Sequence, residues 1–311
     1  MKYIITKFIG VFITLFFASV IIFIAVEILP GDPALTILGI ESEPEAVEAL
    51  RDDLGLNDTG IYRYSSWVLG LMKGDLGVSW TYQIPASDLI LPRLMVTVPL
   101  AIFAMLLSIL MSIPLGLYAA FYHRKTKDFG VMIFGLIGLA IPSFWLGLML
   151  IIIFSLKLGW LPSGGFPGWS NGFWPAFSSL LLPALALATV QTAVLSRIVR
   201  AAVLEFSNDD FVRTAIAKGV SRKKVLVKHV FRNAFITTLT VMGLQFSFLL
   251  AGTVVVENVF FLPGLGRLIM QAIANRDLIL IEDIVMLLVL LVIIINLCID
   301  VVYKYIDPRL E

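Results

Sequence analysis

Six long runs without a charged side chain dominate this chain of 311 residues and limit what it can fold into. A helix crosses the hydrocarbon core of a bilayer with about 20 mostly apolar residues, because it satisfies its own backbone hydrogen bonds. Charged residues are 14% of the chain, against roughly 25% in a soluble protein. The sequence therefore predicts an all-α membrane protein with six transmembrane helices, in the runs Phe8–Val26, Leu94–Tyr122, Phe129–Leu156, Leu158–Ser196, Asn233–Val256 and Ile284–Ile299.

The ends of three runs need interpretation. The fourth run starts with a stretch rich in Gly, Pro, Trp and Ser, so its helix is expected to begin near Ser178. The sixth spans only if Asp283 and Asp300 lie near the interfaces, where the cost of a central charge, about 2.5–3.5 kcal/mol, is relieved. The first run, after Lys2 and Lys7, is compatible with a signal peptide. No small-residue cleavage site follows it, which favours a retained helix.

Basic and acidic residues fall on opposite sides of the predicted spans. Nine of the 23 basic residues lie between Arg197 and Arg232, whereas residues 31–93 hold ten acidic residues and four basic ones. An excess of Lys and Arg marks the cytoplasmic side of a membrane protein. The sequence thus predicts that both termini are cytoplasmic and that residues 31–93 lie outside.

The segment after the first span is expected to form a small extracytoplasmic cap. One short helix is predicted from Pro44 to Leu54, ended by Gly55, and a second from Ile61 to Lys73, ended by Gly74. The predicted division of the chain is then a first transmembrane helix (1–30), an extracytoplasmic segment (31–93) and a five-helix transmembrane core (94–311) that contains a cytoplasmic loop (197–232).

Proline recurs inside the predicted spans, at Pro99, Pro114, Pro142 and Pro183. Each proline removes a backbone donor and tends to kink its helix. Kinked spans suit a pathway that opens and closes. Proline is also common in membrane helices of any function, so both interpretations stay open.

The basic loop carries the signature of a short helix. Ser207 or Asn208 is predicted to be its N-cap, which puts Asp209 and Asp210 in the first turn, at the positive end of the helix dipole. Gly219 is expected to end the helix in the left-handed conformation.

One face of this helix is expected to present Phe211 and Ala215. Ser221 is predicted to cap a second helix that carries Lys224, Lys228 and Arg232 on one face. A capped helix at the tip of a hairpin is typical of a surface that docks into a groove of another protein. The alternative is a basic loop that rests on anionic lipid, which explains the lysines but not the caps.

Five stretches of the sequence form one set of motifs. The most specific is Arg213-Thr214-Ala215-Ile216-Ala217-Lys218-Gly219, followed by His229 and Arg232-Asn233-Ala234. The others are Leu29–Ala34, Pro142–Gly147 with Leu158–Pro162, Glu257–Phe260 with Pro263–Arg267, and Asp307–Arg309. Together they resemble the permease subunits of bacterial ABC importers in the dipeptide/oligopeptide/nickel group, which implies a multi-pass protein of the bacterial inner membrane. Phe235-Ile236-Thr237 stands where this group usually has Leu-Ile-Pro, a departure that concerns the helix break at the start of the fifth span.

The resemblance implies partners and a role for the loop. A permease of this group pairs with a second, similar permease, two cytoplasmic ATPase subunits bind the coupling helices, and an extracytoplasmic binding protein delivers the solute. Di- or oligopeptides are the expected solute, with a nickel or metal chelate or another small solute as alternatives. The residues expected to couple to the ATPases are Asp209, Asp210, Phe211, Val212, Arg213, Thr214, Ala215, Ala217, Lys218 and Gly219.

The matched motif residues outside the loop are expected to be structural: Pro30, Gly31, Asp32, Pro33, Pro142, Trp145, Asn233, Glu257, Pro263, Gly264, Gly266 and Arg267. The resemblance implies no catalytic residue, no metal site, no nucleic-acid partner and no cofactor on this chain. ATP and Mg²⁺ are expected on the partner subunits, since the sequence has no Gly-x-x-x-x-Gly-Lys-Ser/Thr loop. The resemblance does not indicate which residues of this chain bind the solute.

Other classes of protein fit the sequence poorly. The two histidines, His123 and His229, are far apart in the sequence and form no His-Glu-x-x-His pattern. Cys298 is predicted to be a small buried hydrophobe rather than a reactive thiol. A gradient-driven secondary transporter is the main rival, but it would need ionisable groups near the middle of the bilayer, and the uncharged runs lack them.

Overall fold

The computed structural model describes the backbone of residues 2–39 and 41–306, and the side chains of residues 7–39 and 41–303. The side chains of Lys2 and Lys304 and the motif Asp307–Arg309 lie outside the described residues. The helices are α1 (Lys2–Glu27), α2 (Pro33–Leu38), α3 (Pro44–Asp53), α4 (Gly60–Lys73), α5 (Ala86–Phe121), α6 (Thr126–Ala140), α7 (Ser143–Leu150), α8 (Phe173–Phe206), α9 (Asp210–Ala217), α10 (Arg222–Val225), α11 (Phe231–Val259), α12 (Leu265–Asn275) and α13 (Leu278–Ile306).

Within that described part the protein is helical and has no strand, apart from an isolated bridge between Val78 and Pro85. Five helical segments there are long and apolar enough to cross a bilayer, and a sixth is present if α6 and its bent continuation form one span. The all-α class is therefore confirmed. The two predicted short helices are confirmed as α3 and α4, followed by Gly55 and Gly74 at φ values of +67° and +78°.

The third predicted span is broken rather than kinked. Residues 126–140 and 143–157 form two helical pieces at 98° to each other. Ile141 is extended, with φ −88° and ψ 119°, because the ring of Pro142 disfavours a helical residue before it. The second piece is α7, which continues as π-helix over Ile151–Lys157. Pro183, by contrast, lies inside the continuous α8, and Pro99 and Pro114 lie inside the continuous α5.

Three helix starts precede the predicted ones. The prediction that the fourth helix begins near Ser178 is wrong, since α8 begins at Phe173. Pro175 falls in its first turn, where a missing backbone donor costs nothing, and Phe173 stacks on Phe177 at 5.5 Å between ring centroids. The helix α5 begins at Ala86 and α13 at Leu278, both earlier than their uncharged runs. Asp88 and Arg93 in α5, and Glu282 and Asp283 in α13, separate these helix starts from the uncharged runs, so a search for uncharged sequence missed them.

The chain divides into two compact units. Unit 1 contains Met1–Thr97 and Pro263–Ile294, and unit 2 contains Val98–Leu262 and Ile295–Glu311. The division falls inside α5 and α13, so each of these helices contributes to both units.

Polar contacts join the helices of unit 1. Asp32 caps α2 by accepting from the backbone N of Ala34 at 2.9 Å, and its Oδ2 is 2.5 Å from Arg51 Nη2 on α3. The hydrogen bond from Arg51 to Asp32 raises the pKa of this guanidinium. The buried Asp277, just before α13, accepts from Ser79 Oγ at 2.5 Å and from the backbone N of Thr81 at 3.0 Å. These carboxylates tie the short helices and the loop before α5 to the rest of the unit.

Small residues allow close helix packing in unit 2. The helix α8 lies at its centre and packs against α6, α7 and α11. A Cβ built on Gly116 of α5 would lie 2.6 Å from Val199 Cβ and 2.7 Å from the carbonyl oxygen of Ser196, both on α8. Helices in membranes associate through such close contacts, because lipid provides no hydrophobic driving force between them.

We expect Gly116→Ala to destabilise the protein by about 1–3 kcal/mol, because the new methyl group must displace the α8 backbone or Val199. Gly130→Ala on α6 is the control, since nothing lies within 4 Å of a Cβ built there. The thermal midpoint of the purified protein measures the difference. Equal midpoints for the two variants would show that α5 and α8 do not pack as closely as described.

Candidate functional site

The predicted basic loop folds as a helical hairpin in unit 2, between the end of α8 and the start of α11. Its first arm is α9 (Asp210–Ala217), and its second arm starts with α10 (Arg222–Val225). We call residues 207–230 the hairpin. The sequence predicted both helices in this order.

The N-terminus of α9 differs from the prediction. Its N-cap is Asp209, in an extended conformation with φ −68° and ψ 154°, rather than Ser207 or Asn208. Ser207 Oγ donates instead to the carbonyl of Val203 at 2.5 Å. Ser207 is the C-cap of α8, so the N-cap of the next helix follows two residues later, at Asp209. Asp209 makes no side-chain capping bond, and Asp210 is the acid that lies in the first turn.

The C-terminus of α9 is as predicted. Gly219 has φ +82°, a conformation that costs a residue with a side chain roughly 1–2 kcal/mol. Its backbone N donates to the carbonyl of Ile216 at 2.9 Å, and that of Val220 donates to the carbonyl of Ala215 at 3.2 Å. This pair of bonds is a Schellman motif, which satisfies the last carbonyls of the helix. Gly219 therefore fixes the direction in which the chain leaves α9.

One face of α9 is used within the chain itself. Val212 is 7% exposed and belongs to an apolar cluster with Val203 of α8 and Val230 of the second arm. Ala215 packs against the same cluster, so the prediction that Ala215 shares an exposed face with Phe211 is wrong. Of the residues expected to couple, Val212 and Ala215 thus hold the hairpin together.

The opposite face of α9 is open. The side chains of Asp210 and Arg213 are 97% and 78% exposed, and Phe211 is 37% exposed. Ile216, which sequence reasoning missed, is 49% exposed. Ile216 follows Val212 by four positions, so helical spacing places it on the buried face of α9. Only the structure shows that Ile216 lies beyond the edge of the apolar cluster. The other exposed members of the predicted set are Asp209, Thr214, Ala217, Lys218 and Gly219.

The second arm joins α11 through a π-helical turn at Leu226–Val230. Ser221 occupies the predicted N-cap position, although its side chain makes no capping bond. Lys224, Lys228 and Arg232 are all exposed, in agreement with the predicted basic face. The turn has hydrogen bonds between residues five apart, and both Leu226 and Val230 belong to the apolar cluster.

An ion pair fixes the helix from which the hairpin extends. Arg200 of α8 binds Asp128 of α6 through two bonds, Nε to Oδ1 at 2.6 Å and Nη2 to Oδ2 at 2.7 Å. His123 Nδ1 lies 3.1 Å from Arg200 Nη2, and the backbone N of Arg124 donates to Asp128 at 2.9 Å. A bidentate Arg–carboxylate pair is geometrically specific. It holds α8, α6 and the turn after α5 together next to the hairpin.

The remaining motif residues stabilise turns and helix ends. Pro30 and Gly31 form the turn after α1, and Gly31 has φ +119°, with Arg276 Nε 2.9 Å from where its Cβ would be. Pro33 is the first residue of α2. Pro142 is the N-cap of α7, and the nearby Trp145 is 45% exposed.

The later motifs have similar local roles. Asn233 is exposed, and its Nδ2 lies 3.5 Å from the carbonyl of His229. Glu257 is fully buried near the end of α11. The turn before α12 has Gly264 as N-cap, and the backbone N of Leu265 donates to Thr97 Oγ1 at 2.8 Å. Of the motif residues, Pro263 and Gly264 lie in this turn, and Gly266 and Arg267 follow in the first turn of α12.

Comparison with known proteins identifies the class to which this fold and hairpin belong. Residues 112–311 match the model of the binding-protein-dependent transport system inner membrane component, and residues 1–101 match that of its N-terminal region. The chain therefore belongs to the family of inner-membrane components of binding-protein-dependent transport systems.

Relatives match over almost their full length. A putative peptide transport system permease protein of Brucella suis is 41% identical over 293 residues, which are 94% of this chain and 93% of the relative. A glutathione transport system permease protein of Escherichia coli K12 is 38% identical over 311 residues, which are 100% of this chain and 99% of the relative.

Two solved structures share the fold. A methionine ABC transporter in an inward-facing conformation matches with a TM-score of 0.55 and 17% identity, over 70% of this chain and 96% of that chain. An amino acid ABC transporter matches with a TM-score of 0.53 and 16% identity, over 70% of this chain and 94% of that chain.

These relationships confirm the resemblance seen in the sequence. The chain is a permease component of an ABC importer, an integral inner-membrane protein that works in a complex with other subunits. It is a transport subunit without a catalytic site of its own.

We expect Gly219→Ala to weaken α9 locally by about 1–2 kcal/mol, because alanine resists the left-handed conformation. Gly219→Asn should weaken it less, since asparagine tolerates that conformation better. Hydrogen exchange of the α9 amides measures the effect, with the amides of α8 as an internal control. Unchanged protection of α9 in Gly219→Ala would contradict the role assigned to this glycine.

Proposed function

We propose that this chain forms half of the translocation pathway of an ATP-driven peptide importer. A second homologous permease would form the other half, two cytoplasmic ATPase subunits would bind ATP and Mg²⁺, and an extracytoplasmic binding protein would deliver the solute. Peptides are the favoured solute because one relative is named for peptides and another for glutathione, which is itself a tripeptide. A metal chelate or another small solute of the same family is the second candidate.

The open face of α9 is the observation that supports a contact with the ATPase subunits. The helix is held rigidly by its glycine stop and by an inner face packed on its own chain, yet it leaves Phe211 and Ile216 exposed beside Arg213. A short helix with apolar anchors and flanking charges is suited to a groove on another protein. We infer that α9 is the coupling helix, whose position responds to ATP-driven closure of the ATPase pair.

Docking on anionic lipid explains α9 less well. The exposed Asp209 and Asp210 at its start would be repelled by a negative surface, whereas a basic anchor gains about 1 kcal/mol per Lys or Arg near the membrane. The exposed Lys224, Lys228 and Arg232 lie on the second arm instead. They are compatible with lipid or with an acidic rim of the ATPase.

The proposed topology has six spans and both termini in the cytoplasm. This topology requires that α6 and the helix after Pro142 form one span. The excess of basic residues in the hairpin supports the topology, because Lys and Arg are enriched on the cytoplasmic side. Residues 31–93, 160–176 and 261–277 would then lie outside and form the receptor face for the binding protein.

Negative charge placed on the exposed face of α9 tests the coupling role. We expect Arg213→Glu and Ile216→Glu to lower ATP-driven uptake at least tenfold and to reduce co-purification of the ATPase subunits, because both side chains are exposed. The ion pair of Arg213 with Asp210, at 3.5 Å, is itself on the surface and adds little to stability. Arg213→Lys keeps the charge and is the matched control. Normal uptake with normal co-purification in both glutamate variants would contradict the docking of α9.

Reconstitution tests the energy source and the solute. Proteoliposomes with the complete complex should take up a labelled dipeptide or glutathione only with ATP and Mg²⁺ inside and the binding protein outside. The control contains no ATP and instead has a proton or sodium gradient imposed across the membrane. Uptake that persists with the gradient alone would show a secondary transporter, and ATP-dependent uptake of only a metal chelate would replace the peptide assignment.

A further inference from the structure

A cavity of about 380 Å³ lies inside unit 1, among the end of α1, the helix α4, the loop that follows α4 and the start of α13. This volume is within the range of sites for small ligands, about 300–1,000 Å³. Neither the hairpin nor any sequence motif discussed above accounts for it.

The central feature of this cavity is Glu282 on α13. Its side chain lines the cavity, and the residue is only 6% exposed. It makes no hydrogen bond or ion pair with any residue that the structure describes. Arg63 also lines the cavity, but its guanidinium is already paired with Glu27, at 2.9 Å from Nη2 to Oε2. A carboxyl group buried without a partner ionises only at a cost of several kcal/mol, and a cation in the cavity would reduce that cost.

The next residue of α13 points elsewhere. Asp283 is 2% exposed and accepts from Trp67 Nε1 at 2.9 Å through its Oδ1, while its Oδ2 is buried without a hydrogen bond in the described residues. Asp283 is therefore used to anchor α4. Its proximity adds negative potential beside Glu282.

The rest of the cavity wall combines acids with aromatic rings. Asp53 and Asp58 are exposed and line its edge, while Tyr62, Trp67 and Trp80 contribute the aromatic surface. Aromatic faces attract organic cations, by about 0.5–2 kcal/mol per ring. Carboxylates together with indole rings are the chemistry that recognises alkylammonium and guanidinium groups.

We propose that this cavity binds a small organic cation, with its ammonium or guanidinium head at Glu282 and its apolar body among the aromatic rings. A metal ion suits the cavity less, since no group of three or more His, Cys, Asp and Glu side chains is placed to hold one within the described residues. The inference concerns unit 1 alone, and it depends neither on the solute that the permease carries nor on the coupling role of α9.

Two probes of equal shape test the charge requirement. The purified transporter complex in lipid nanodiscs is titrated with n-butylguanidinium and, in parallel, with n-butylurea, followed by saturation-transfer NMR. We expect n-butylguanidinium to bind and n-butylurea to bind at least tenfold more weakly. Equal binding of the two probes, or no binding of either, would overturn the proposal. So would full displacement of n-butylguanidinium by an equimolar amount of MgCl₂.

Variants locate the site. Glu282→Gln keeps the shape of the side chain and should weaken n-butylguanidinium at least tenfold. Asp58→Asn, at an exposed edge position that the fold does not need, should weaken it two- to threefold. Glu45→Gln on α3 removes an exposed acid outside the cavity and should change nothing. Unchanged binding in both cavity variants, or an equal loss in Glu45→Gln, would overturn the assignment of the site.

Discussion

The lack of water in the bilayer core is the constraint on which this structure depends. A peptide group exposed to lipid has no solvent partner, so every spanning segment must satisfy its hydrogen bonds internally. The break at Pro142 shows how strictly the chain obeys this. The backbone N of Ile141 still donates to Ile137 at 3.1 Å, and the carbonyl of Pro142 accepts from Leu146 at 3.1 Å. The chain turns through 98° at this point while the groups on both sides stay bonded.

The two compact units solve the packing problem in different ways. Unit 2 relies on small residues, such as Gly116 against Val199, which let α5 and α8 approach until dispersion forces hold them. Unit 1 relies on carboxylates, such as Asp32 with Arg51 and Asp277 with Ser79, which join short helices and a loop. Short helices bury too little apolar surface to be stable alone, so they need these directed bonds. Glu282, which lines the cavity of this unit, makes no such bond with any residue that the structure describes.

The hairpin is suited to transmit movement because its two faces have separate tasks. Val212 and the cluster around it attach α9 to α8, and the pair of Arg200 and Asp128 attaches α8 to α6. In the coupling role that we propose, a displacement of α9 would therefore be carried into α8. The exposed face of α9 is the surface that we propose for the ATPase contact.

The sequence by itself determined the helical class, the position of most spans, the helix stops at Gly55, Gly74 and Gly219, and the family. These depend on local chemistry, namely uncharged length, left-handed glycine conformations and contiguous motifs, and each can be read without knowing what lies nearby. Only the tertiary structure decided that Ala215 is half-buried against the apolar cluster while Ile216 is exposed, that Asp209 rather than Ser207 is the N-cap of α9, and that the helix is broken at Pro142. It alone placed Glu282 in a cavity. Those outcomes depend on which surfaces of distant segments meet. Helical spacing gives the direction of a side chain, but it does not show how far the segment packed against that side chain extends.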